Sequence, residues 1–361
     1  MMERIGILTG GGDAPGLNAV IRAVVKTANN VFDCEVLGIR QGFEGLINSH
    51  GTMLLSPIEV RGILPRGGTI LGAANRGNPF ARRVIRNGLE VIEDVSDIVV
   101  DRIKELELDT LIVVGGDGTL RICLELFHKG SPVVGVPKTI DNDIQGTDVT
   151  FGFDTAVAMA TDAIDRLHTT AESHHRVMVV ELMGRNAGFI ALEAGLAGGA
   201  DVILIPEIPF QFDPIFNKIQ ERAKAGRYFS IIAVAEGACP EGSEQIFRME
   251  GDEVRSPRLG GIGQLVAEEV ARTCALETRV TVLGHLQRGG TPTPFDRWLA
   301  TRFGAAAVRL AAKKMHGYFV GLRGTEIVDI RLDDALHVPK RVDLEGEIVR
   351  TVKDLGICLG Q

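Results

Sequence analysis

The chain has 361 residues, 45% of them apolar and 24% charged, which is typical of a globular protein with two domains or one large one. The net charge of −8 argues against a general role in binding nucleic acids or membrane surfaces. The five cysteines form no Cys-x-x-Cys pair, which argues against structural zinc and a disulfide framework. No apolar run is long enough to span a bilayer, and the N-terminus enters a strand with no signal peptide, so we expect a cytoplasmic protein.

The first predicted elements are a strand, a glycine-rich turn and a helix, at residues 5–8, 9–16 and 17–28. Free backbone N–H groups and the helix dipole favour an anion at such a turn. Pro15 stands where the dinucleotide fingerprint needs a glycine, and no Lys-Ser/Thr pair of a Walker loop follows Gly16. A phosphate site and a purely structural turn both stay open.

A second strand is predicted at residues 35–39, and residues 66–79 are too irregular for one element, which predicts a loop. Three arginines follow this loop: Arg82, Arg83 and Arg86. We interpret most of them as the solvated face of a helix.

A second unit of strand, glycine turn and helix covers residues 111–127. Residues 111–114 are a continuous apolar run, which predicts a buried parallel strand, and residues 120–127 predict a helix. The loop between them reads Gly115-Gly-Asp-Gly-Thr119. Its carboxylate, Asp117, can carry a Mg²⁺ ion that bridges phosphates.

The next predicted strand, residues 133–136, ends at Pro137, which lacks a backbone N–H. Polar side chains then follow within a few positions: Lys138, Thr139, Asp141 and Asp143. A carboxylate just past a buried strand can act as a base or a metal ligand. An Asx-rich turn is the alternative, because Asp and Asn favour turns for local hydrogen-bonding reasons.

The second half of the chain continues the alternation of helices and strands. Helices are predicted at 154–168, 263–274, 296–310 and 344–355, and strands at 177–180, 201–206, 230–235 and from 279. A polar loop is predicted at 172–176 and a glycine-rich connection after the helix at 296–310.

This alternation predicts an α/β fold of two doubly wound, mostly parallel-sheet domains. Ligands in such folds bind beyond the carboxyl ends of the strands. We therefore expect one active site in the cleft between the two domains, with these residues on corresponding sheet edges: Asp117, Asp141, Arg185, Glu236 and His285.

Six short motifs in a fixed order carry a resemblance to a known family. They are Thr9-Gly-Gly-Gly-Asp-Ala-Pro-Gly16, Gly67-Gly-Thr69, Gly115-Gly-Asp-Gly-Thr119, Pro137-Lys-Thr-Ile-Asp-Asn-Asp143, Met183-Gly-Arg185 and Gly284-His-Leu-Gln-Arg-Gly-Gly290. Together they resemble the 6-phosphofructokinase family, although Gly-Gly-Asp-Gly-Thr alone is also similar to NAD kinases and diacylglycerol kinases. Residues 165–170 and 291–300 look most like the mixed-substrate group III subfamily, whose members use ATP or pyrophosphate.

The resemblance implies an ATP-dependent 6-phosphofructokinase of glycolysis, which transfers a phosphoryl group from MgATP to the 1-hydroxyl of fructose 6-phosphate. It implies a donor-binding domain of residues 1–152 plus about 287–337, and a fructose 6-phosphate domain of 153–286 plus about 338–361. Asp141 would be the base for the sugar hydroxyl, and Asp143 would support Asp141 or the metal. Thr139 would hydrogen-bond the transferring phosphoryl group, and Arg185 would neutralise developing charge.

The resemblance also implies the binding residues. Mg²⁺ would lie on Asp117, and the donor would contact Gly12, Arg76, Gly116, Asp117, Gly118 and Thr119. Fructose 6-phosphate would contact Thr139, Ile140, Asp141, Met183, Gly184, Arg185, Glu236, His285, Leu286, Gln287 and Arg288. Arg176 and Arg279 match positions that reach the 6-phosphate from a neighbouring subunit, which implies a homo-oligomer, either a dimer or a tetramer.

Two positions bear on the donor. Pyrophosphate-using relatives typically have a second Asp after the metal-site Asp, where its side chain would exclude the α-phosphate of ATP; here that residue is Gly118. Lys138, in contrast, is typical of pyrophosphate users. We give Gly118 more weight, because exclusion by a bulky anion is a stronger veto than an extra cation, and predict ATP as the donor with pyrophosphate as the alternative.

The chain departs from the family pattern in two places. Asn75 fills the position expected for a donor-binding arginine, and Arg76 follows it, which indicates a one-residue insertion. Arg22, Lys26 and Arg227 could form an effector site, but Pro57 and His168 stand where arginines are expected, so we predict a weak or absent response to ADP or phosphoenolpyruvate. The rival hypotheses are a kinase for another sugar phosphate, such as sedoheptulose 7-phosphate, and a catalytically inactive regulatory protein.

Overall fold

The computed structural model describes residues 2–48, 51–74, 77–86, 89–249 and 258–361. Its strands are β1 Arg4–Thr9, β2 Glu35–Ile39, β3 Thr52–Leu54, β4 Arg82–Arg86, β5 Leu89–Glu93, β6 Thr110–Gly115, β7 Val133–Pro137, β8 Val177–Leu182, β9 Val202–Leu204, β10 Ser230–Ala235, β11 Phe247–Met249, β12 Arg258–Leu259, β13 Thr278–Val282, β14 Tyr318–Arg323 and β15 Glu326–Arg331.

The helices alternate with these strands along most of the chain. They are α1 Leu17–Phe32, α2 Glu44–Ile47, α3 Ser96–Glu105, α4 Asp117–His128, α5 Phe153–His174, α6 Phe189–Ala197, α7 Phe212–Lys224, α8 Ile262–Cys274, α9 Pro294–Ala312, α10 Leu332–Ala335 and α11 Glu347–Asp354, with a 3₁₀ turn at Gly284–Arg288. None of the helices within the described residues is long and apolar enough to cross a membrane.

The chain divides into two units. The first comprises the described residues of Met1–Ile140, Ile144–Asp154 and Arg288–Pro339, and the second those of Asp141–Asp143, Thr155–Gln287 and Lys340–Gln361. The assignment of the donor to the first unit and of the sugar phosphate to the second stays a prediction.

The first unit is built on a seven-stranded sheet in the order β15-β14-β7-β6-β1-β2-β3. The strands from β14 to β2 are parallel, and β15 and β3 add antiparallel edges. Ile112 and Val114 of β6 pack into one hydrophobic cluster, while Leu111 and Val113 pack into another. Because neighbouring residues of a strand point to opposite faces, this continuous apolar run indicates burial on both faces of the sheet.

The second unit is built on a parallel four-stranded sheet in the order β13-β8-β10-β9. Alternate apolar residues of its strands, such as Val177 and Val179, form a core with residues of helices α7 and α8. The two sheets together confirm the predicted α/β fold class with mostly parallel strands.

Three local predictions are wrong. The arginines Arg82, Arg83 and Arg86 lie in strand β4 and not on a helix, because β4 pairs with β5 and its arginines form ion pairs with glutamates. The expected loop at 172–176 is mostly the end of helix α5, which continues to His174.

The third wrong prediction is the glycine-rich connection expected after α9, which is a β-hairpin. Strands β14 and β15 pair antiparallel around Gly324, whose φ of +56° suits glycine at the turn. Strand β14 then joins β7 in parallel, so the segment completes the large sheet.

Candidate active site

Two glycine turns of the first unit close over one threonine. Strands β1 and β6 are neighbours in the sheet, so the turns that follow them lie side by side. Thr119 is only 7% exposed beneath them. A Cβ built on Gly10 would lie 2.7 Å from its Cγ2 atom, and one built on Gly115 would overlap its Cβ atom. Only glycine permits this close approach, which leaves the backbone of the turns at the surface of the site.

Two cations flank the first of these turns. Lys138 is 3% exposed, and its Nζ atom donates to the carbonyl oxygen of Gly12. Arg288 donates from Nη1 to the carbonyl oxygen of Asp13 at 3.2 Å. Its Nη1 atom also lies 3.1 Å from the point where a Gly12 Cβ would stand. Two positive charges in contact with a glycine turn suit an anionic ligand.

Helix α4 begins at Asp117, three residues earlier than the sequence predicts. Asp117 accepts a hydrogen bond at Oδ2 from the Nε atom of Arg121 at 2.8 Å, one turn further along the helix. Gly118 is exposed, and a Cβ built on it meets nothing within 4 Å. The first turn of α4 therefore combines an oriented carboxylate with open space.

A metal ion at Asp117 would need further ligands from a bound phosphate compound. Within the part of the chain that the structure describes, no three His, Cys, Asp or Glu side chains are grouped as a metal cage. Mg²⁺ is commonly held by one or two carboxylates together with substrate phosphates, and a single carboxylate beside a phosphate-type turn fits that mode.

The segment after β7 carries the predicted base. Thr139 and Ile140 are buried, and the Thr139 carbonyl accepts from the Thr150 hydroxyl at 2.8 Å. Asp141 and Asp143 are half-buried on either side of Asn142, whose φ is +54°. Asparagine tolerates this left-handed conformation, which places the two half-buried aspartates on either side of a tight bend.

In the second unit, the loops after β8 and β10 are joined through their backbones. The Glu236 amide donates to the Leu182 carbonyl at 2.8 Å, and the Gly237 amide donates to the Gly184 carbonyl at 3.1 Å. Among the described residues, the guanidinium of Arg185 makes no hydrogen bond or ion pair. Its charge is therefore available to a ligand.

The 3₁₀ turn after β13 divides the predicted substrate contacts. His285 and Leu286 are exposed, whereas Gln287 is fully buried. The Gln287 side chain accepts from the Met183 amide at 3.3 Å and donates to the Gly284 carbonyl at 3.1 Å. Because both ends of its amide are bonded to backbone, Gln287 fixes the position of the turn.

Arg176 and Arg279 meet at Glu277. The Arg176 Nε atom lies 2.8 Å from Glu277 Oε2, and the Nη2 atom of Arg279 pairs with Glu277 Oε1. The hydrogen bond from Arg176 lowers the pKa of the Glu277 carboxyl below its ordinary value. One carboxylate thus holds two guanidinium groups side by side.

These arginines lie at the opposite end of the sheet from Arg185. Arg176 precedes β8 and Arg279 lies at the start of β13, whereas Arg185 follows the end of β8. Six strand residues span about 20 Å, so within one copy Arg176 cannot reach a ligand held by Arg185.

Sequence reasoning missed three residues that shape these sites. Arg121 was detectable as a cation four residues after Asp117 on a predicted helix. Glu277 was detectable by its position two residues before Arg279. Gln245, whose amide contacts the Arg185 loop, has no local signature. The predicted donor residue Arg76, with Asn75, lies outside the described residues.

Comparison with known proteins places these turns and loops in one family. The family model described as phosphofructokinase matches residues 4–311. The chain belongs to the phosphofructokinase family. This confirms the resemblance carried by the six motifs.

Relatives within the phosphofructokinase family use different donors, according to their names. The chain is 54% identical over 360 residues to an ATP-dependent 6-phosphofructokinase of Chloroflexus aurantiacus, covering 99% of this chain and 98% of that protein. It is 49% identical over 343 residues to a pyrophosphate–fructose 6-phosphate 1-phosphotransferase of Amycolatopsis mediterranei, covering 95% and 97%. Among solved structures, phosphofructokinase from Saccharomyces cerevisiae matches with a TM-score of 0.80 and 30% identity, over 98% of this chain and 47% of the yeast chain.

Proposed function

We propose that the protein is a 6-phosphofructokinase that transfers a phosphoryl group from MgATP to the 1-hydroxyl of fructose 6-phosphate. The product would be fructose 1,6-bisphosphate, and the reaction would be a step of glycolysis. The observation that carries the proposal is the pair of glycine turns closed over Thr119, with a carboxylate at Asp117 and two cations at Gly12. These three features together suit a polyphosphate donor. The relative from Chloroflexus aurantiacus supports ATP as the donor, and the relative from Amycolatopsis mediterranei supports fructose 6-phosphate as the acceptor but is named for pyrophosphate.

The first unit would bind the donor. Backbone groups around Gly12 and from Gly116 to Thr119 would receive the donor phosphates, with Arg76 as a further contact. Mg²⁺, bound through Asp117 and the phosphates, would neutralise charge on the transferring group. Arg121 would keep the Asp117 carboxylate in one orientation, because it already bonds Oδ2.

The second unit, with Asp141 at its start, would bind and activate the acceptor. Asp141 would take the proton from the sugar 1-hydroxyl. The oxygen of that hydroxyl would form a bond to the γ-phosphorus of ATP, while the bond between this phosphorus and the ADP leaving group breaks. Asp143 would support Asp141 or the metal. Thr139 would hydrogen-bond the phosphoryl group, and Arg185 would stabilise the charge that develops on it.

The remaining contacts would grip the sugar phosphate. They are Ile140, Met183, Gly184, Glu236, His285, Leu286 and Arg288, while the buried Gln287 would position the turn that carries several of them. Arg176 and Arg279 would hold the 6-phosphate in the site of a neighbouring copy. The distance along β8 between these arginines and Arg185 supports their assignment to a neighbouring copy. This assignment requires a homo-oligomer.

ATP is the proposed donor and pyrophosphate the alternative. The open space at Gly118 supports ATP, because nothing there would exclude an α-phosphate. Lys138, whose ammonium group bonds the Gly12 carbonyl, would attract the phosphates of either donor, so it is a weaker argument than the open space at Gly118.

A coupled assay with fructose 6-phosphate and Mg²⁺ tests the proposal, with ATP and pyrophosphate compared at equal concentration. We expect activity with ATP. Gly118→Asp should impair the use of ATP, and Gly118→Ala, which adds no charge in the same open space, should leave it nearly unchanged. Unchanged ATP kinetics in Gly118→Asp, or activity with pyrophosphate alone, would contradict the donor assignment. Absence of product with either donor would contradict the reaction itself.

A further inference from the structure

One glutamine side chain bridges the two loops that carry the proposed acceptor contacts. The Nε2 atom of Gln245 donates to the carbonyl oxygen of Arg185 at 3.0 Å and to that of Gly237 at 3.0 Å. Arg185 follows β8 and Gly237 follows β10, so a single amide reaches both loops. An amide nitrogen has two hydrogens, and both are used here.

The bridge sits where the two loops are packed too closely to move independently. The Gly237 amide donates to the Gly184 carbonyl at 3.1 Å, and a Cβ built on Gly237 would overlap the Arg185 carbonyl oxygen. Backbone pairing therefore continues past the ends of the strands as far as Gly184. Gln245 then satisfies the next two carbonyl oxygens, which point toward it.

Gln245 is itself held in place from two directions. The next residue, Ile246, packs against the hydrophobic core of the second unit, and its carbonyl accepts from the Gly260 amide at 3.3 Å. The Gly261 amide in turn donates to the Glu181 carboxylate at 3.1 Å. Glu181 is 3% exposed and lies in β8, the strand that leads to Arg185. The segment that follows Gln245 is thus hydrogen-bonded, through Gly260 and Gly261, to the same strand that leads to Arg185.

We propose that Gln245 is a positioning residue that fixes the backbone at Arg185 and so aims its guanidinium at the transferring phosphoryl group. The inference rests on the proposed function, in which Arg185 stabilises charge in the transition state. Arg185 has no side-chain partner among the described residues that could fix it instead. Its aim depends on the backbone from which it extends, and a misplacement of about 1 Å can cost on the order of 100-fold in rate.

The first test replaces the bridge while keeping its length. Gln245→Met removes both donors, and we expect kcat to fall about 10-fold while KM for fructose 6-phosphate and for ATP stays within about 2-fold. Gln245→Lys returns an N–H donor to the same place and should recover most of the lost kcat. Gln264→Met, on an exposed face of α8, is the matched control and should behave as the unsubstituted protein.

The second test separates positioning from general damage to the fold. Arg185→Ala should lower kcat, and adding Gln245→Met to that variant should cause no further fall, because no guanidinium remains to be aimed. The inference is overturned if Gln245→Met lowers kcat equally in both backgrounds, if it leaves kcat unchanged while Arg185→Ala lowers it, or if Gln245→Lys fails to recover activity. Failure of the proposed function would look different: the unsubstituted protein would show no activity that depends on fructose 6-phosphate.

Discussion

The two proposed phosphate sites use different chemical groups: one uses the backbone and the other uses side chains. The donor turns present backbone, and glycines at positions 10 and 115 let them close over Thr119. The proposed 6-phosphate site presents two guanidinium groups, Arg176 and Arg279, held by the Glu277 carboxylate. A backbone site is fixed by packing, whereas a side-chain site is fixed by charge. Substitutions should therefore damage the first through stability and the second through affinity.

The largest expected effect comes from the proposed base, Asp141, and not from either phosphate site. Asp141→Asn keeps the shape of the proposed base but removes its ability to accept a proton. We expect kcat to fall about 1,000-fold with little change in either KM, because general bases contribute on the order of 10²–10⁴-fold. Single-turnover measurements with saturating fructose 6-phosphate and ATP would show it. A fall of less than 10-fold would mean that another group takes the proton.

The next effect should separate acceptor affinity from donor affinity. Arg279→Met and Arg176→Met each remove one charge from the guanidinium pair, so KM for fructose 6-phosphate should rise about 10- to 100-fold while KM for ATP stays unchanged. Arg272→Met is the control, because Arg272 is an exposed arginine paired with Glu269.

The arginine series also tests the oligomer. If the two arginines serve the site of a neighbouring copy, mixing Arg279→Met with Arg185→Ala protein should restore some sites in which both residues are intact. Mixtures that show only the sum of the two separate activities would place both residues in the site of one copy.

The sequence predicted best the strands that are marked by an apolar run within the strand itself. Strands β2 and β10 have the bounds expected from their apolar runs, residues 35–39 and 230–235. The β14–β15 hairpin was missed because its pairing with β7 depends on a strand far away in the chain. The arginines of β4 were misassigned for a different reason: most of their glutamate partners belong to the next strand, β5, and residues 82–86 alone do not indicate that pairing.

The candidate site shows a similar limit. Motif residues such as Asp117 and Arg185 were recognisable from local sequence, and the structure adds the groups that hold them. Arg121 is a local partner, whereas Gln245 lies 60 residues from Arg185, whose carbonyl it contacts. Nothing in a short window of sequence indicates such a contact. Burial also changes the interpretation of Gln287, whose amide is bonded to backbone on both sides.

The packing of the donor turns predicts a contrast between two glycines of one motif. Gly115→Ala would force a methyl group against Thr119 and should lower the free energy of unfolding by about 1–3 kcal/mol, as overpacking does. Gly118→Ala meets nothing within 4 Å and lies in the first turn of α4, so it should be neutral or slightly stabilising. Urea denaturation of both variants measures the difference. Equal losses would mean that the turns are not closed over Thr119.

The smallest expected effect concerns pH and the sheet that carries the donor turns. His316 lies just before β14, and its Nε2 atom is 3.0 Å from the hydroxyl of Thr110 at the start of β6. Burial lowers the pKa of His316, and Lys314 lowers it further, while Asp109 opposes them. The unfolded chain then binds a proton at a higher pH than the folded one. The free energy of unfolding should therefore fall as pH drops below about 6.5 and level off below the depressed pKa.

This pH dependence can be assigned with a pair of histidine variants. His316→Gln should remove part of the loss of stability between neutral and mildly acidic pH, because glutamine has no proton to gain. His337→Gln changes an exposed histidine in the same unit and should leave the slope as it is. Thermal unfolding midpoints of the three proteins from pH 8 downward would test the assignment. Identical slopes would mean that His316 is protonated as readily in the folded protein as in the unfolded chain, and that its contact with Thr110 does not depend on a neutral ring.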